Sequence, residues 1–442
     1  MLDINDIKNN VEKLKKTVRG RGLDDTIVDN VIEKHNAYLE IDKKWQEKRN
    51  LRNKISVSLS PSPSPSPSSA PDDDRKVQLK EAAEVKNDLK ELNKERLNSK
   101  AEYEKAWRLI PNFYAEDVSV GTEDKIISEF GTPKKFDFEV KDHVELGKLL
   151  NIIDIETAGK VSGSRFYYLK NEAVLLEYAI IQYVLDVLMN KKVFVEISEK
   201  VEGASVKPFS PVLPPMFVKE EVMKKMDRFD HDCYYYEKDK ISLVGSAEHT
   251  LGPMHMDEIL DIRDLPVRYI GFSSSFRREA GSYGKEVRGI MRTHHFDKLE
   301  MESFSTAEQG QSEQNFIVAL QEYLIKGLEL PYRVVIICSS DMGKPDYRQV
   351  DIETWMPSQS KYIETHTSDY MTDYQSRRLN TRYKGVNGET KHVYMNDATA
   401  FAIGRTLVAL LENHQQKDGS VAIPDALQPY TKFKKIEPKK SK

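Results

Sequence analysis

Apolar residues recur at steps of three and four through residues 1–26, at Ile4, Ile7, Val11, Leu14 and Val18, which predicts short amphipathic helices. Arg19-Gly20-Arg21-Gly22 then breaks the run. Over 27–55 and again over 75–107 the chain has no proline or glycine and is dense in Lys, Glu, Leu and Asn, so two long helices follow. In the second, Val85, Leu89, Leu92, Arg96, Ser99, Tyr103 and Ala106 alternate steps of four and three, a heptad seam with a polar middle. Val31, Tyr38 and Trp45 mark a sparser seam on the first. The pair should lie antiparallel as a coiled-coil hairpin of roughly 45 Å, at about 1.5 Å per residue. Between them, over 56–74, the alternating serines and prolines of residues 60–67 cannot be helical and predict a solvated tip.

Further on, a helix over about 171–189 is nearly apolar all round and must be covered on more than one side. From Phe276 to Glu300 the pattern reads as two strands joined by a glycine-punctuated loop. Period-2 alternation puts Arg277 and Glu279 on one face of the first strand and Phe296, Lys298 and Glu300 on one face of the second. Leu299 and Met301 then point into a core. Residues 353–357 and 362–367 read as strand, turn, strand. Residues 396–405 open a helix that buries Leu407, Leu410 and Leu411 and is capped by Asp397 or Thr399.

A length of 442 residues implies more than one domain. The net charge of -4 is not that of a globally basic nucleic-acid binder, so any RNA contact must rest on local patches. Cys233 and Cys338 are too few for a disulfide framework or a cysteine-rich zinc site, so no zinc is expected. No run of ~18 apolar residues exists and the start lacks a secretion signal, so the expectation is a cytoplasmic protein with no membrane contact.

Arginine grips phosphate oxygens through its fork of donors, an aromatic ring stacks on a base, and a carboxylate accepts from amines. The 276–300 hairpin combines all three. Its order, Phe276-Arg277-Arg278-Glu279-Ala280-Gly281-Ser282 followed by His294-His295-Phe296, resembles motif 2 of the class II aminoacyl-tRNA synthetases, and within them the seryl-tRNA synthetases of bacterial type. Gly245-Ser246-Ala247-Glu248 resembles that family's Thr-Ala-Glu segment, the Glu364 to Thr367 stretch its Glu-x-Ser-Ser segment, and Asn396 to Arg405 its motif 3. Departures stand at Ser246 in place of threonine, at Arg278, at His295 in place of glutamine, at His366 and Thr367 in place of a serine pair, and at Tyr370 and Asp397 in place of asparagines.

The resemblance implies an α+β fold: a class II antiparallel sheet flanked by helices, preceded by an N-terminal helical arm. It divides the chain into a tRNA-binding region over 1–110, a connector over 111–170, a catalytic domain over 171–430 and a basic tail over 431–442. It further implies a ligase that activates L-serine with ATP and transfers it to tRNA(Ser), and leaves open whether selenocysteine tRNA also serves. Carried over residue by residue, Arg277 and Arg405 become the catalytic cations. Arg277, Arg278, Glu279, Phe296, Glu364, Thr367 and Arg405 would bind ATP, with Glu364 and Thr367 holding Mg²⁺. Ser246, Ala247, Glu248, Arg277, Glu300 and Thr399 would hold serine.

On the arm, 16 Lys plus Arg stand against 15 Asp plus Glu between Asp29 and Lys105, which fits a solvated coiled coil as well as an RNA surface. Under the resemblance, Lys43, Lys44, Lys48, Arg49, Arg52, Lys86, Lys90 and Lys94 are the candidates for tRNA phosphates. The 171–189 helix, followed by Val212-Leu213-Pro214-Pro215, resembles motif 1 and implies a homodimer. Two rivals remain: a relative that loads an amino acid onto a carrier protein, which the long arm disfavours, and a non-catalytic paralogue that binds RNA, which the retained arginines disfavour.

Overall fold

A computed structural model describes residues 1–59, 72–228, 232–279 and 288–439. The chain divides into two compact units, Met1–Pro111 and Asn112–Lys442.

In the first unit, α1 (Ile4–Asn9) is capped by the Asp3 side chain, which accepts from the Asn5 amide, and α2 (Val11–Gly20) buries Leu14, Thr17 and Val18. The arm follows as α3 (Thr26–Leu59) and α4 (Asp72–Trp107). Both helices outrun the expected 27–55 and 75–107, because nothing before the prolines interrupts them. Of the expected tip, 56–59 and 72–74 are helical, while the Ser-Pro run at 60–71 lies outside the described residues.

The α4 seam is buried or half-buried throughout, with Val85, Leu89, Tyr103 and Ala106 fully buried. Its polar middle has a physical reason. Arg96 donates to Asp42 Oδ1 at 3.1 Å, and its guanidinium lies 4.4 Å from the centroid of the Trp45 ring. Nearer the base, Tyr103 stacks on Trp107 with centroids 5.2 Å apart and meets the edge of His35 at 4.9 Å.

The second unit is organised on an eight-stranded sheet. Its strands in chain order are β1 (Lys125–Phe130), β2 (Ser210–Val212), β3 (Val267–Phe276), β4 (His295–Ser305), β5 (Tyr332–Ile336), β6 (Arg348–Met356), β7 (Lys361–Thr372) and β8 (Tyr394–Ala402). Spatial order is β1-β5-β6-β7-β8-β4-β3-β2, and every pairing is antiparallel except the edge strand β2 beside β3.

The helices α5 (His143–Leu150), α6 (Glu172–Leu188), α7 (Gly310–Gly327) and α8 (Ile403–Asn413) contribute to one core with Leu299, Met301 and Phe401 of the sheet. Alternation explains why: Leu299 and Met301 take the core face, so Lys298, Glu300 and Glu302 take the other. Helix α7 is pinned across the strands by its glutamines. Gln321 Nε2 donates to the carbonyls of Thr367 at 3.0 Å and Thr399 at 2.7 Å.

Two expectations fail locally. The first hairpin strand ends at Phe276, so Arg277 and Glu279 lie beyond the ladder, and Glu279 adopts a left-handed φ of 48°. Residues 396–402 are strand, not the start of a helix: Thr399 pairs with Glu300, and α8 begins at Ile403 with no side-chain cap. Alanine, threonine and phenylalanine in 398–402 satisfy a buried strand as readily as a helix, and the neighbouring strands decide. The stretch after residue 190 opens as a helix over Lys191–Ser198 capped by Asn190. Of the tail, Lys435–Ile436 pairs with Val421–Ala422, and 440–442 lie outside the described residues.

Candidate active site

On the polar face of this sheet a cavity of about 640 Å³ is lined by Arg277, Glu279, Phe296, Glu300, Glu364, Thr367, Thr399 and Arg405, together with Glu248, Arg228 and Asp397. Residues nearly 180 positions apart thus share one volume, which single-strand patterning could not show.

Each wall is set by local geometry. Arg277 follows β3 directly; its amide donates to the His294 carbonyl at 3.1 Å, closing the hairpin base. Its Nε donates to the Gly245 carbonyl at 2.9 Å and its guanidinium lies 5.5 Å from the Phe296 ring centroid. Glu279 pairs with Arg292 at 3.3 Å, and its carbonyl accepts from Arg165. The loop beyond it, with Ala280, Gly281 and Ser282, lies outside the described residues.

Arg405, in the first turn of α8, donates from Nη1 to both the carbonyl and Oε1 of Glu364, each at 2.8 Å. Gly404 makes this placement possible: a Cβ there would come within 2.9 Å of the Ile290 carbonyl, in the chain returning from the hairpin loop.

Glu300 and Glu248 form the floor, with Ser246 behind them. A shift in register between Leu299 and Glu300 sets Glu300 opposite Thr399, the kind of bulge that re-aims a side chain beside a site. Ser246 Oγ donates to Glu300 Oε2 at 3.1 Å, and Lys298 is paired with the same oxygen. Ser246 and Ala247 are buried behind the wall and do not line the cavity. Arg278 does not line it either: it is exposed, and its amide donates to the Asp232 carbonyl.

His366 and Tyr370, where the sequence departs from the family pattern, are absorbed by packing. His366 sits edge-on to Phe401 at 5.0 Å, and burial pushes its pKa down to about 3. Tyr370 fills the space over Gly310, where a Cβ would lie 2.6 Å from its ring.

Sequence reasoning missed Arg228. It is 6 % exposed, and its guanidinium reaches Asp346 at 3.1 Å, Asp397 at 3.3 Å, Glu248 at 3.4 Å and Asp369. Nothing in its sequence context, a mixed run of charges at 227–232, distinguishes it from a surface residue. Burial would raise the Glu248 carboxyl, but Arg228, then His249 and Lys298, outweigh it and hold it down to about 2. Burial drives Asp397 the other way, well above the usual carboxylate range, with Glu248 and Glu300 reinforcing it against Arg228.

In the first unit, Arg49, Arg52, Lys86 and Lys90 line one groove of about 290 Å³ with Trp45, Leu89 and Asn93. Lys43, Lys44, Lys48 and Lys94 are not part of it, and Lys48 is paired with Asp88 at 2.7 Å. Cys233 and Cys338 are buried and unbridged. No helix among the described residues is long and apolar enough to cross a membrane.

A sheet of this order, with two cavity-facing arginines at a hairpin base and a helix start, defines a class II synthetase core. The family model "tRNA synthetase class II core domain (G, H, P, S and T)" matches residues 232–414, and "Seryl-tRNA synthetase N-terminal domain" matches 1–114. The chain is 38% identical to a serine–tRNA ligase of Dictyoglomus turgidum over 100% of both chains. Among solved structures it resembles seryl-tRNA synthetase from Pyrococcus horikoshii complexed with ATP, with a TM-score of 0.85, 34% identity and 100% of both chains covered. It also resembles the cytoplasmic serine–tRNA ligase from Naegleria fowleri in complex with AMP, at TM-score 0.80 and 26% identity over 99% of both chains.

The chain belongs to the seryl-tRNA synthetase family. The α+β fold with its helical arm and the ligase class both hold.

Proposed function

We propose that the cavity joins L-serine to ATP and that the activated seryl group then passes to tRNA(Ser). The observation that carries this reading is the shared cavity: Arg277 and Arg405, from separate motifs, face the same 640 Å³ as Glu248 and Glu300. The serine carboxylate oxygen attacks the α-phosphorus in line, the bond from that phosphorus to the β-bridging oxygen breaks, and pyrophosphate leaves. Arg277, fixed by Gly245, neutralises charge developing on the α-phosphoryl oxygens, and Arg405 meets the far end of the triphosphate. Phe296 offers its face to adenine and Glu279 accepts from the adenine amine.

Glu248 is kept ionised by Arg228 and so suits the serine ammonium. Glu300 and Thr399 supply partners for the serine hydroxyl, with Ser246 donating to Glu300 from behind, which leaves polar groups unpaired when alanine enters instead. Glu364 and Thr367, with Asp351 buried beside them, offer hard oxygen donors of the kind Mg²⁺ takes. Bound there, Mg²⁺ would neutralise the polyphosphate that Glu364 alone would repel.

The arm groove, with four cations around Trp45, supports the phosphate-binding reading for Arg49, Arg52, Lys86 and Lys90 more than for the other four. A homodimer is supported by the outer face of α6, where Leu175 and Tyr178 stand 52% and 65% exposed on an otherwise apolar helix. The test is serine-dependent ATP–pyrophosphate exchange followed by charging of tRNA(Ser). Absence of exchange with serine would end the reading.

A further inference from the structure

Behind the floor of the cavity, acids outnumber cations. Asp369 on β7 pairs directly with Asp397 on β8, and Asp397 pairs directly with Glu302 on β4, so three carboxylates stand in a row across three adjacent strands. Like charges directly opposite one another on a sheet repel. With Glu248, Glu300 and Asp346 they make six buried acids, served among the described residues by two buried cations, Arg228 and Lys298. His249 adds no charge at neutral pH, since burial pushes its pKa down to about 4.

Arg228 spends its donors on Asp346, Asp369, Asp397 and Glu248, and Lys298 on Glu300. Glu302 is left over. It is 0 % exposed, it faces the cluster on the same side of β4 as Glu300, and neither of its carboxylate oxygens meets a hydrogen-bond donor among the described residues. A buried carboxylate without a partner is costly, and the cost falls when a cation arrives.

The α-ammonium of serine supplies one such cation, and Glu248 suffices for it. The side-chain hydroxyl of serine brings none. Carboxylate oxygens of Glu248, Glu300 and Asp397 lie within 4.8 Å of one another, a spacing that also fits a metal ion, but Arg228 already stands 3.3–3.4 Å from two of the three and would repel a divalent cation. An ammonium, which needs only two or three acceptors and carries a single charge, fits better.

We infer that this pocket also activates a small α-amino acid whose side chain ends in an amine where serine has its hydroxyl, of the 2,3-diaminopropionate class, with Asp397 as the residue that meets the second ammonium and Glu302 as a positioning acid behind it. The reaction is the one proposed above for serine: the amino-acid carboxylate attacks the α-phosphorus and pyrophosphate leaves. The inference rests on that reading of the site.

The test is ATP–pyrophosphate exchange by the full chain with L-serine, L-2,3-diaminopropionate and L-alanine in parallel. Exchange is expected with the first two and not with alanine. Asp397→Asn and Glu302→Gln should each move the ratio of kcat/KM for diaminopropionate over serine towards serine by roughly ten- to a hundredfold, the loss expected for a hydrogen bond or pairing to a charged group. Glu302→Gln removes a buried carboxyl group that meets no hydrogen-bond donor among the described residues and so keeps the test open if Asp397→Asn fails to fold. Exchange with serine but none with diaminopropionate overturns this inference alone, as does a ratio that neither variant moves. Loss of exchange with serine as well overturns the site reading beneath it.

Discussion

The arm and the cavity handle charge in opposite ways. Along α3 and α4 cations and anions nearly balance and pair at the surface, as Lys48 does with Asp88, both side chains more than a third exposed. Around the cavity, six acids and the two cations Arg228 and Lys298 are shut away from water, and their numbers do not match. Water screens the first set and makes each pair worth little; the second set is screened only by what the chain or a ligand brings. Charge density in a sequence therefore carries no function by itself, and its burial does.

Five substitutions would break or sharpen that contrast. The largest effect should follow Arg228→Met, which strands four carboxylates: a loss of about 3–5 kcal/mol in urea unfolding at constant slope. A loss under about 1 kcal/mol would mean that the cluster is not held by its cation. Next, Arg277→Ala should lower serine-dependent exchange on the order of 10²- to 10³-fold while the thermal midpoint stays put. Equal damage to both would make Arg277 a structural residue.

Glu302→Gln should stabilise. Burial, with Asp397 and Glu248 adding to it, raises the Glu302 carboxyl well above its usual range, so the native chain keeps a proton that the unfolded chain releases near pH ~4.3. The stability tied to that proton is complete below the unfolded value and is lost as pH rises through the native one. The variant should match the parent near pH 4 and exceed it by about 1–2 kcal/mol at pH 8, read by denaturant titration at both. No pH dependence of that difference would contradict the placement of Glu302.

Smallest is the arm. Lys48→Ala should cost under about 1 kcal/mol, and Lys86→Ala should leave exchange intact while raising the KM for tRNA(Ser) a few-fold, more at low salt. A fall in exchange with Lys86→Ala would undo the separation of the two regions.

How much of this the sequence discloses follows the same division. The arm was legible almost residue by residue, because a heptad seam is a local pattern: the expected positions from Val85 to Ala106 are the ones turned inward. The hairpin strands and the alternation that separates Leu299 from Glu300 were legible for the same reason. Arg277 and Arg405 are legible through their motifs, although the expected helix starts seven residues early over β8, where neighbouring strands overrule local propensity.

Arg228 was out of reach, since its meaning comes from four acids between 20 and 169 residues away. Glu302 had a faint signal: acids at 300 and 302 after Lys298 repeat on one strand face, but only the pairing with Asp397 shows that the face is closed.

At Gly404, an absent side chain acts as a gauge. Because no atom stands between that position and the Ile290 carbonyl, the segment returning from the hairpin loop and the helix bearing Arg405 share a common datum, and the span between the two cationic walls is set there. A single methyl group at that point would be a wedge, widening the slot for the triphosphate without touching any residue that grips it.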